Sequence, residues 1–380
     1  MKTISFIGSD KNAGKTTVLN FVYKRLRKQL KLKSAICLTS IGINGEETDR
    51  YEGSGPKKPA IKVFAGDYLI TRECHLRATT AAAASYSIVY DFSQGTESDP
   101  LLLVRVNATL GGVAVLLEGP NDKSELMRAK EYLLAQRDIA YFLLDGSIDR
   151  QFLAAPEVSD SFYFALLLSD RAPQLSKAYD LVHAVSLNMA EEGDYRVVAD
   201  CQYSSSAEIK SILYDDHNEV IYMGKEIAFL DKQLFKHLEE IDNISNSSLP
   251  FYHQIGVNSG LSHTPLQYYL YLNSALTPTI MKRIGKIKNL NLILDNFTLI
   301  QNISSVINLS GSQAQNQMSA NLPPIALLHQ VKVDGFFWRS EGGSKNKSKE
   351  TLLRKILGSI KDIPVHNLYR ENPHEIRVRP

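Results

Sequence analysis

The sequence predicts an α/β protein: a doubly wound, mostly parallel sheet with an antiparallel extension, followed by a second α/β domain. Three observations carry this. Through the first half, short apolar runs ending in polar or acidic residues alternate with amphipathic segments, the pattern of strands feeding helices. A polar loop with small residues separates the first apolar run from the first amphipathic segment. Beyond residue 190 the alternation loosens across Glu191–Asp194 and Ser204–Ser206, which read as a boundary. Domains of 1–190 and 191–380 follow, each long enough for a core of its own.

The first strand, with Ile4, Phe6 and Ile7, stops at Gly8, and Gly14-Lys15-Thr16 opens a helix with Val18, Val22, Leu26 and Leu30 at four-residue spacing. Strand, loop and helix in this order suit a phosphate-binding loop: small residues let backbone N–H groups approach phosphate oxygens, and the helix N-terminus adds partial positive charge. The nucleotide-binding stretch is Gly8, Ser9, Asp10, Lys11, Asn12, Ala13, Gly14, Lys15, Thr16 and Thr17. Lys15 would reach the β/γ-phosphates of ATP and Thr16 would hold Mg²⁺. Lys11 adds a second cation over the transferring phosphate. The match to G-x-x-x-x-G-K-[ST] is imperfect, since Ser9 holds the first-glycine position and Gly8 stands one residue earlier.

The helix ends in a basic stretch, Lys24, Arg25, Arg27, Lys28, Lys31 and Lys33. Cations there complement the helix dipole and form a solvated face, so no nucleic-acid site is read from them. A second strand, 34–39, leads into a polar loop with Gly42, Gly45, Glu46, Glu47, Asp49, Gly53, Gly55 and Pro56. Short runs at 61–64, 68–71, 86–92 and 101–106, around an alanine-rich helix at 78–84, predict the antiparallel extension. Val113–Leu117 reads as a central strand ending in Glu118-Gly119-Pro120. Asp122, with Glu125 three residues on, caps a helix over 123–136 with Leu126, Ala129 and Leu133 on one face. Buried strands at 140–144 and 162–168 end in Asp145-Gly146-Ser147 and Ser169-Asp170, and a helix at 174–180 closes the domain. The second domain shows a hairpin at Asp215–Asn218, a helix at 232–240, strands at 291–294 and 325–333, and a terminal helix at 349–361. It is expected to serve as a substrate or partner docking surface.

Thr16, a loop acid and Glu118 would converge on Mg²⁺, which prefers oxygen ligands. Glu118 is favoured over Asp145, which also ends an apolar strand; Asp49 lies beside Glu46 and Glu47. A net charge of +2 gives no strong attraction for nucleic acid or membrane surfaces. Cys37, Cys74 and Cys201 form no C-x-x-C pair and read as buried thiols in a reducing compartment, not as a zinc site. The first apolar run is too short for a signal peptide, and no run approaches a membrane span. A cytoplasmic protein is expected, with a homodimer as one allowed state.

The stretch from Gly8 to Thr16 has the glycine spacing of dethiobiotin synthetases and cobyric acid synthases, and Glu118-Gly119 resembles the Glu-Gly that ends a central strand in them. That resemblance implies an ATP-binding P-loop fold in which Thr16, Asp49 and Glu118 hold Mg²⁺, with catalysis by Lys15, Lys11, Asp49 and Glu118. The loop is also similar to that of nucleotide-binding proteins assisting molybdopterin guanine dinucleotide synthesis. Dethiobiotin synthetases carry Lys-Pro after the second strand, where Thr39-Ser40-Ile41-Gly42 stands here. An Asn-Lys-x-Asp guanine motif is absent too. Over the whole chain, the loop, Glu118-Gly119-Pro120-Asn121 and the run from Leu144 to Asp160 resemble the P-loop subunit of the lysine 5,6-aminomutase reactivase. This implies an ATPase chaperone that helps an adenosylcobalamin-dependent aminomutase exchange its cofactor, with a second ATPase subunit as partner. An ATP-dependent small-molecule synthase or kinase of the dethiobiotin synthetase-like group is the alternative.

Overall fold

The computed structural model describes residues 1–10, 13–30, 34–41, 43–44, 61–80, 84–95, 97–109, 113–146, 151–169, 171–246, 266–300, 323–340, 351, 357 and 363–368. They divide into two compact units, Met1–Ala178 with Val331–Pro380, and Tyr179–Gln330.

The first unit contributes β1 (Lys2–Gly8), α1 (Lys15–Gln29), β2 (Ala35–Ser40), β3 (Ile43–Asn44), β4 (Ile61–Val63), β5 (Tyr68–Arg72) and α2 (Glu73–Thr80). It continues with β6 (Ala84–Asp91), β7 (Leu101–Thr109), β8 (Val113–Val115), β9 (Leu117–Glu118), α3 (Lys123–Leu134), β10 (Ile139–Asp145) and β11 (Ser161–Leu168). Helix α4 (Ala172–Val185) runs across the division. The second unit holds β12 (Asn188–Met189), α5 (Glu192–Ser204), β13 (Ser211–Asp215), β14 (Val220–Gly224), α6 (Lys232–Asn246), β15 (Tyr268–Leu272), α7 (Pro278–Ile284), β16 (Leu290–Asn296) and β17 (Ile325–His329). The chain then returns to the first unit as β18 (Lys332–Ser340) and β19 (Val365–Asn367).

The first unit is built on a nine-stranded sheet in the order β19-β18-β11-β1-β10-β2-β5-β7-β6. Pairing is parallel from β19 to β5, and antiparallel at β5–β7 and β7–β6. The molecule is therefore α/β with a large, mostly parallel mixed sheet and an antiparallel edge. Strands β2 and β11 are buried at every position, as parallel strands covered on both faces must be. Alternate residues serve different faces. Ile36 and Leu38 join the core that includes Val18, Leu19, Val22 and Leu26 of α1. Ala35 and Cys37 join the core that includes Leu126, Ala129 and Leu133 of α3. The α3 cap is as expected: Asp122 Oδ1 accepts from Glu125 N at 2.9 Å, and Glu125 Oε2 accepts from Asn121 N at 2.7 Å.

The second unit has a six-stranded sheet, β12-β17-β16-β15-β13-β14, parallel except where β13 joins β15 and β14. Its β13–β14 hairpin turns at the expected place, where Asp215 Oδ1 accepts from the backbone of His217 and Glu219.

Several expectations are corrected. The expected strand 325–333 is two strands in different sheets, parted at Gln330 and Val331, and β18 fills the position beside β11. The second domain expected at 191–380 thus gives up residues from 331 onward to the first unit. The run Val113–Leu117 is not a central strand. Both edges of β2 are taken, by β10 and β5, so β8 pairs with β4 and β9 with β3 outside the main sheet. Its apolar residues Val115 and Leu117 bury instead in the core that α1 shares. The helix expected at 78–84 lies earlier, as α2, and Ala84 already begins β6. Of the terminal helix expected at 349–361, residues 351 and 357 are described, both helical.

Candidate functional site

At the carboxyl end of β1 the chain turns through the glycine loop into α1. Gly8 is required by what crosses it: a Cβ there would stand 2.8 Å from Lys15 Cγ and 2.9 Å from Lys15 Cδ. The lysine therefore lies over the strand end, with Nζ donating to Asp10 O at 3.5 Å. Gly14 adopts φ 99° at the N-cap of α1, a region costly for residues with a Cβ. Its carbonyl accepts from Val18 N at 3.0 Å, the first bond of the helix.

Ser9, in the first-glycine position, is buried and tied to β11. Its N–H donates to Ala165 O and its Oγ accepts from Leu167 N, both at 2.9 Å. Ala13 is fully buried, and Thr17 is exposed on α1. Lys11, Asn12 and Asp49 lie outside the described residues, as do Glu46 and Glu47.

The acid beside Thr16 is Asp145. Strand β10 lies next to β1 in parallel register, pairing Phe6 with Asp145, so the two strands end together. Thr16 Oγ1 donates to Asp145 Oδ2 at 3.2 Å. The Asp145 turn is held tightly: its carbonyl accepts from Ile41 N at 3.0 Å, and Gly146 N donates to Phe6 O at 3.1 Å. A Cβ on Gly146 would meet Leu153 Cδ1 at 2.6 Å and Phe6 O at 3.0 Å. Here is a helix N-terminus, a lysine and two hard oxygens at one sheet edge.

Glu118 is placed otherwise. Its backbone N–H donates to Thr71 Oγ1 at 3.0 Å, and its Oε2 lies 2.5 Å from His75 Nε2. Cys74, next to that histidine at the start of α2, is exposed, so the expectation that all three cysteines are buried holds for Cys37 and Cys201 alone. Burial, a hydrogen bond to Asp99 and the charges of Asp99 and Glu118 push the Cys74 thiol up to about 11.

The approach of the C-terminal segment to the loop was not foreseen from the sequence. The Leu368 side chain closes over Gly14, and Arg339, near the end of β18, passes beside it. Nothing local marks either residue, because the strand that carries Arg339 reaches the loop only through the pairing of β18 with β11.

The distinctive run from Asp145 to Asp160 packs under β1 where it is described; residues 147–150 lie outside. Leu153, Ala154 and Val158 are fully buried. Ser5 Oγ donates to Leu153 O at 2.9 Å, and Asp160 Oδ2 accepts from Thr3 N at 2.7 Å. The basic stretch is partly structural too. Arg27 lies 3.2 Å from the buried Asp67 carboxylate and donates to Ser34 O and Ala65 O. Among the described residues no helix is long and apolar enough to cross a membrane. No protein-family model matches the chain, and neither a curated protein nor a solved structure matches it.

Proposed function

We propose that the chain is a P-loop protein that binds and hydrolyses ATP with Mg²⁺ and acts as the reactivating subunit of an adenosylcobalamin-dependent aminomutase. The observation that carries the nucleotide reading is the Thr16 hydroxyl donating to the Asp145 carboxylate at the start of α1, with Lys15 lying across Gly8. Mg²⁺ needs few protein ligands, all oxygen, and Thr16 with Asp145 offers them where phosphate oxygens would meet the helix N-terminus. This gives Asp145 the acidic role first expected of Glu118. Bound there, the ion would neutralise charge on the phosphates.

The chain's own contribution is positioning. Gly8 and Gly14 let the backbone close around a small anion, Lys15 places its ammonium over the loop, and Asp145 orients the Thr16 hydroxyl. ATP is preferred to GTP because the Asn-Lys-x-Asp guanine motif is missing. The synthase alternative loses support at the end of β2. Thr39 and Ser40 stand where a substrate-positioning Lys-Pro pair would, and both are buried, donating to Ile70 O and Leu117 O at 2.8 Å. The aminomutase partner rests on the resemblance of the loop, Glu118–Asn121 and Leu144–Asp160.

The test is equilibrium binding of ATP and GTP, with and without Mg²⁺, to the full chain. Lys15→Ala should abolish binding, Asp145→Asn should remove its dependence on Mg²⁺, and Glu118→Gln should leave both intact. Unchanged affinity in Lys15→Ala would sink the nucleotide reading. Turnover should be slow alone and faster with an adenosylcobalamin-dependent aminomutase; brisk turnover driven by a metabolite without any partner would reverse the functional assignment.

A further inference from the structure

We propose that Cys74, His75 and Glu118 form a zinc site, separate from the glycine loop and independent of the nucleotide reading. One ligand atom from each lies within 4.8 Å of the other two. Of these, His75 Nε2 and Glu118 Oε2 stand 2.5 Å apart. Bond lengths of about 2.0–2.3 Å from a tetrahedral Zn²⁺ put its donors roughly 3.2–3.6 Å apart. The three atoms therefore need to move by only about an ångström to close on an ion.

Two of the three ligands share one continuous stretch of chain. Strand β5 runs directly into α2, whose first turn presents Cys74 and His75. Thr71, in the same strand, accepts from the Glu118 backbone and fixes β9 beside them. The position of Gly119 adds a second restraint: a Cβ there would fall 2.1 Å from Ser40 O, so β9 sits hard against the end of β2. The backbone at Cys74 is held as well. Asp99 Oδ1 accepts from Cys74 N at 2.8 Å, and Asp99 O accepts from Arg72 at 3.1 Å. That arginine is itself paired with Glu97 and Glu125, so its charge is answered away from the site.

The donor set selects the ion. A thiolate, formed as Zn²⁺ displaces the Cys74 proton to solvent, with an imidazole and a carboxylate, suits Zn²⁺, whereas Mg²⁺ takes oxygen donors in an octahedron. Three protein ligands leave the fourth tetrahedral position to solvent or to an incoming donor, the arrangement of reactive rather than purely structural zinc sites. Cys74 is the exposed cysteine of the three, so the ion has a route in.

The experiment uses the tag-free, nucleotide-free full chain, stripped with a chelator and titrated with Zn²⁺ against a chromophoric competitor. One equivalent should bind. Cys74→Ser and His75→Ala should each weaken it by more than about 100-fold, beyond the 10–100-fold that loss of an outer partner causes. With Co²⁺ in place of Zn²⁺, the wild type should show a thiolate-to-cobalt charge-transfer absorption. Cys74→Ser should lose it, while Cys201→Ser and Asp145→Asn should keep it. Failure of the wild type to bind one equivalent overturns the proposal, as does bound Co²⁺ without the thiolate band, or Zn²⁺ affinity unchanged in Cys74→Ser. Cys74 is exposed, so its replacement leaves the fold testable, and Glu118→Gln supplies an independent variant that should also weaken Zn²⁺ binding.

Discussion

Replacing Gly14 by alanine should cost about 2 kcal/mol of stability, from two sources that can be measured apart. The first is local. At φ 99° and ψ 17° a Cβ crowds the following carbonyl, at about 1–2 kcal/mol. The second is tertiary: the Cβ would stand 2.6 Å from Leu368 Cδ1, and displacing a packed side chain costs about 1–3 kcal/mol. Leu368 is only partly buried, which favours the lower end. Alanine also stiffens the unfolded chain, offsetting about 0.4–1 kcal/mol. Thermal unfolding should therefore show Tm lowered by about 4–8 °C. Leu368→Ala in the Gly14→Ala background makes room for the Cβ and leaves φ as it is, so a double-mutant cycle should return about 1 kcal/mol of coupling. A Gly14→Ala protein within about 0.5 kcal/mol of wild type would refute the strained loop. A full loss with no coupling to Leu368 would refute something larger, the return of the C-terminal segment to the first unit.

Ser9→Ala should destabilise by about 1–3 kcal/mol in chemical denaturation, because it strips the buried Leu167 N–H of the hydroxyl that accepts from it. Ser9→Gly, which restores the usual phosphate-loop spelling, should do no better, and a neutral result in either would mean that this bond contributes nothing. Burial raises the Asp67 carboxyl above its ordinary 3.8, against hydrogen bonds from Tyr23 and Ile36 and the nearby Arg27. A raised folded value means that the native state holds this proton when the unfolded chain has lost it. Its contribution is therefore present below the unfolded value and is lost as pH rises through the folded one. Urea midpoints of Asp67→Asn should lack that downward slope, and parallel pH profiles for the two proteins would contradict the assignment. In the second unit, Tyr214→Phe should cost about 1–3 kcal/mol by leaving the Asp194 carboxylate without the hydroxyl donating to it at 2.5 Å. A change confined to a few tenths would show that Asp194 is satisfied by the Glu191 backbone alone.

How much of this was legible in the sequence depends on how far each signal travels along the chain. The loop, its helix and the α3 cap are local: Gly8, Gly14 and Asp122 act within a few residues, and the chain announces them. Strand identity was also local, because apolar runs buried on both faces are visible in composition. Strand partners were not. Val113–Leu117 is as apolar as β10, yet it is excluded from the main sheet because β2 already has a neighbour on each side, a fact about pairing that no window of sequence contains. The preference for Glu118 rested on a central position for that strand, whereas the Thr16 hydroxyl meets Asp145, which ends the strand beside β1, and only the strand order says which acid does. The same reasoning explains the split of the run 325–333: both halves are good strands, and the change of sheet between them is decided by which edges are open. It also explains why Cys74 looked inert. Along the chain Cys74 and His75 stand with no second pair at metal-binding spacing. Their third donor comes from Glu118, whose strand β9 pairs with β3 outside the main sheet and is tied to the end of β5 by the Thr71 hydroxyl. The misplaced strand and the unforeseen cluster are thus one structural fact, and a test of zinc binding at Cys74 is also a test of where β9 lies.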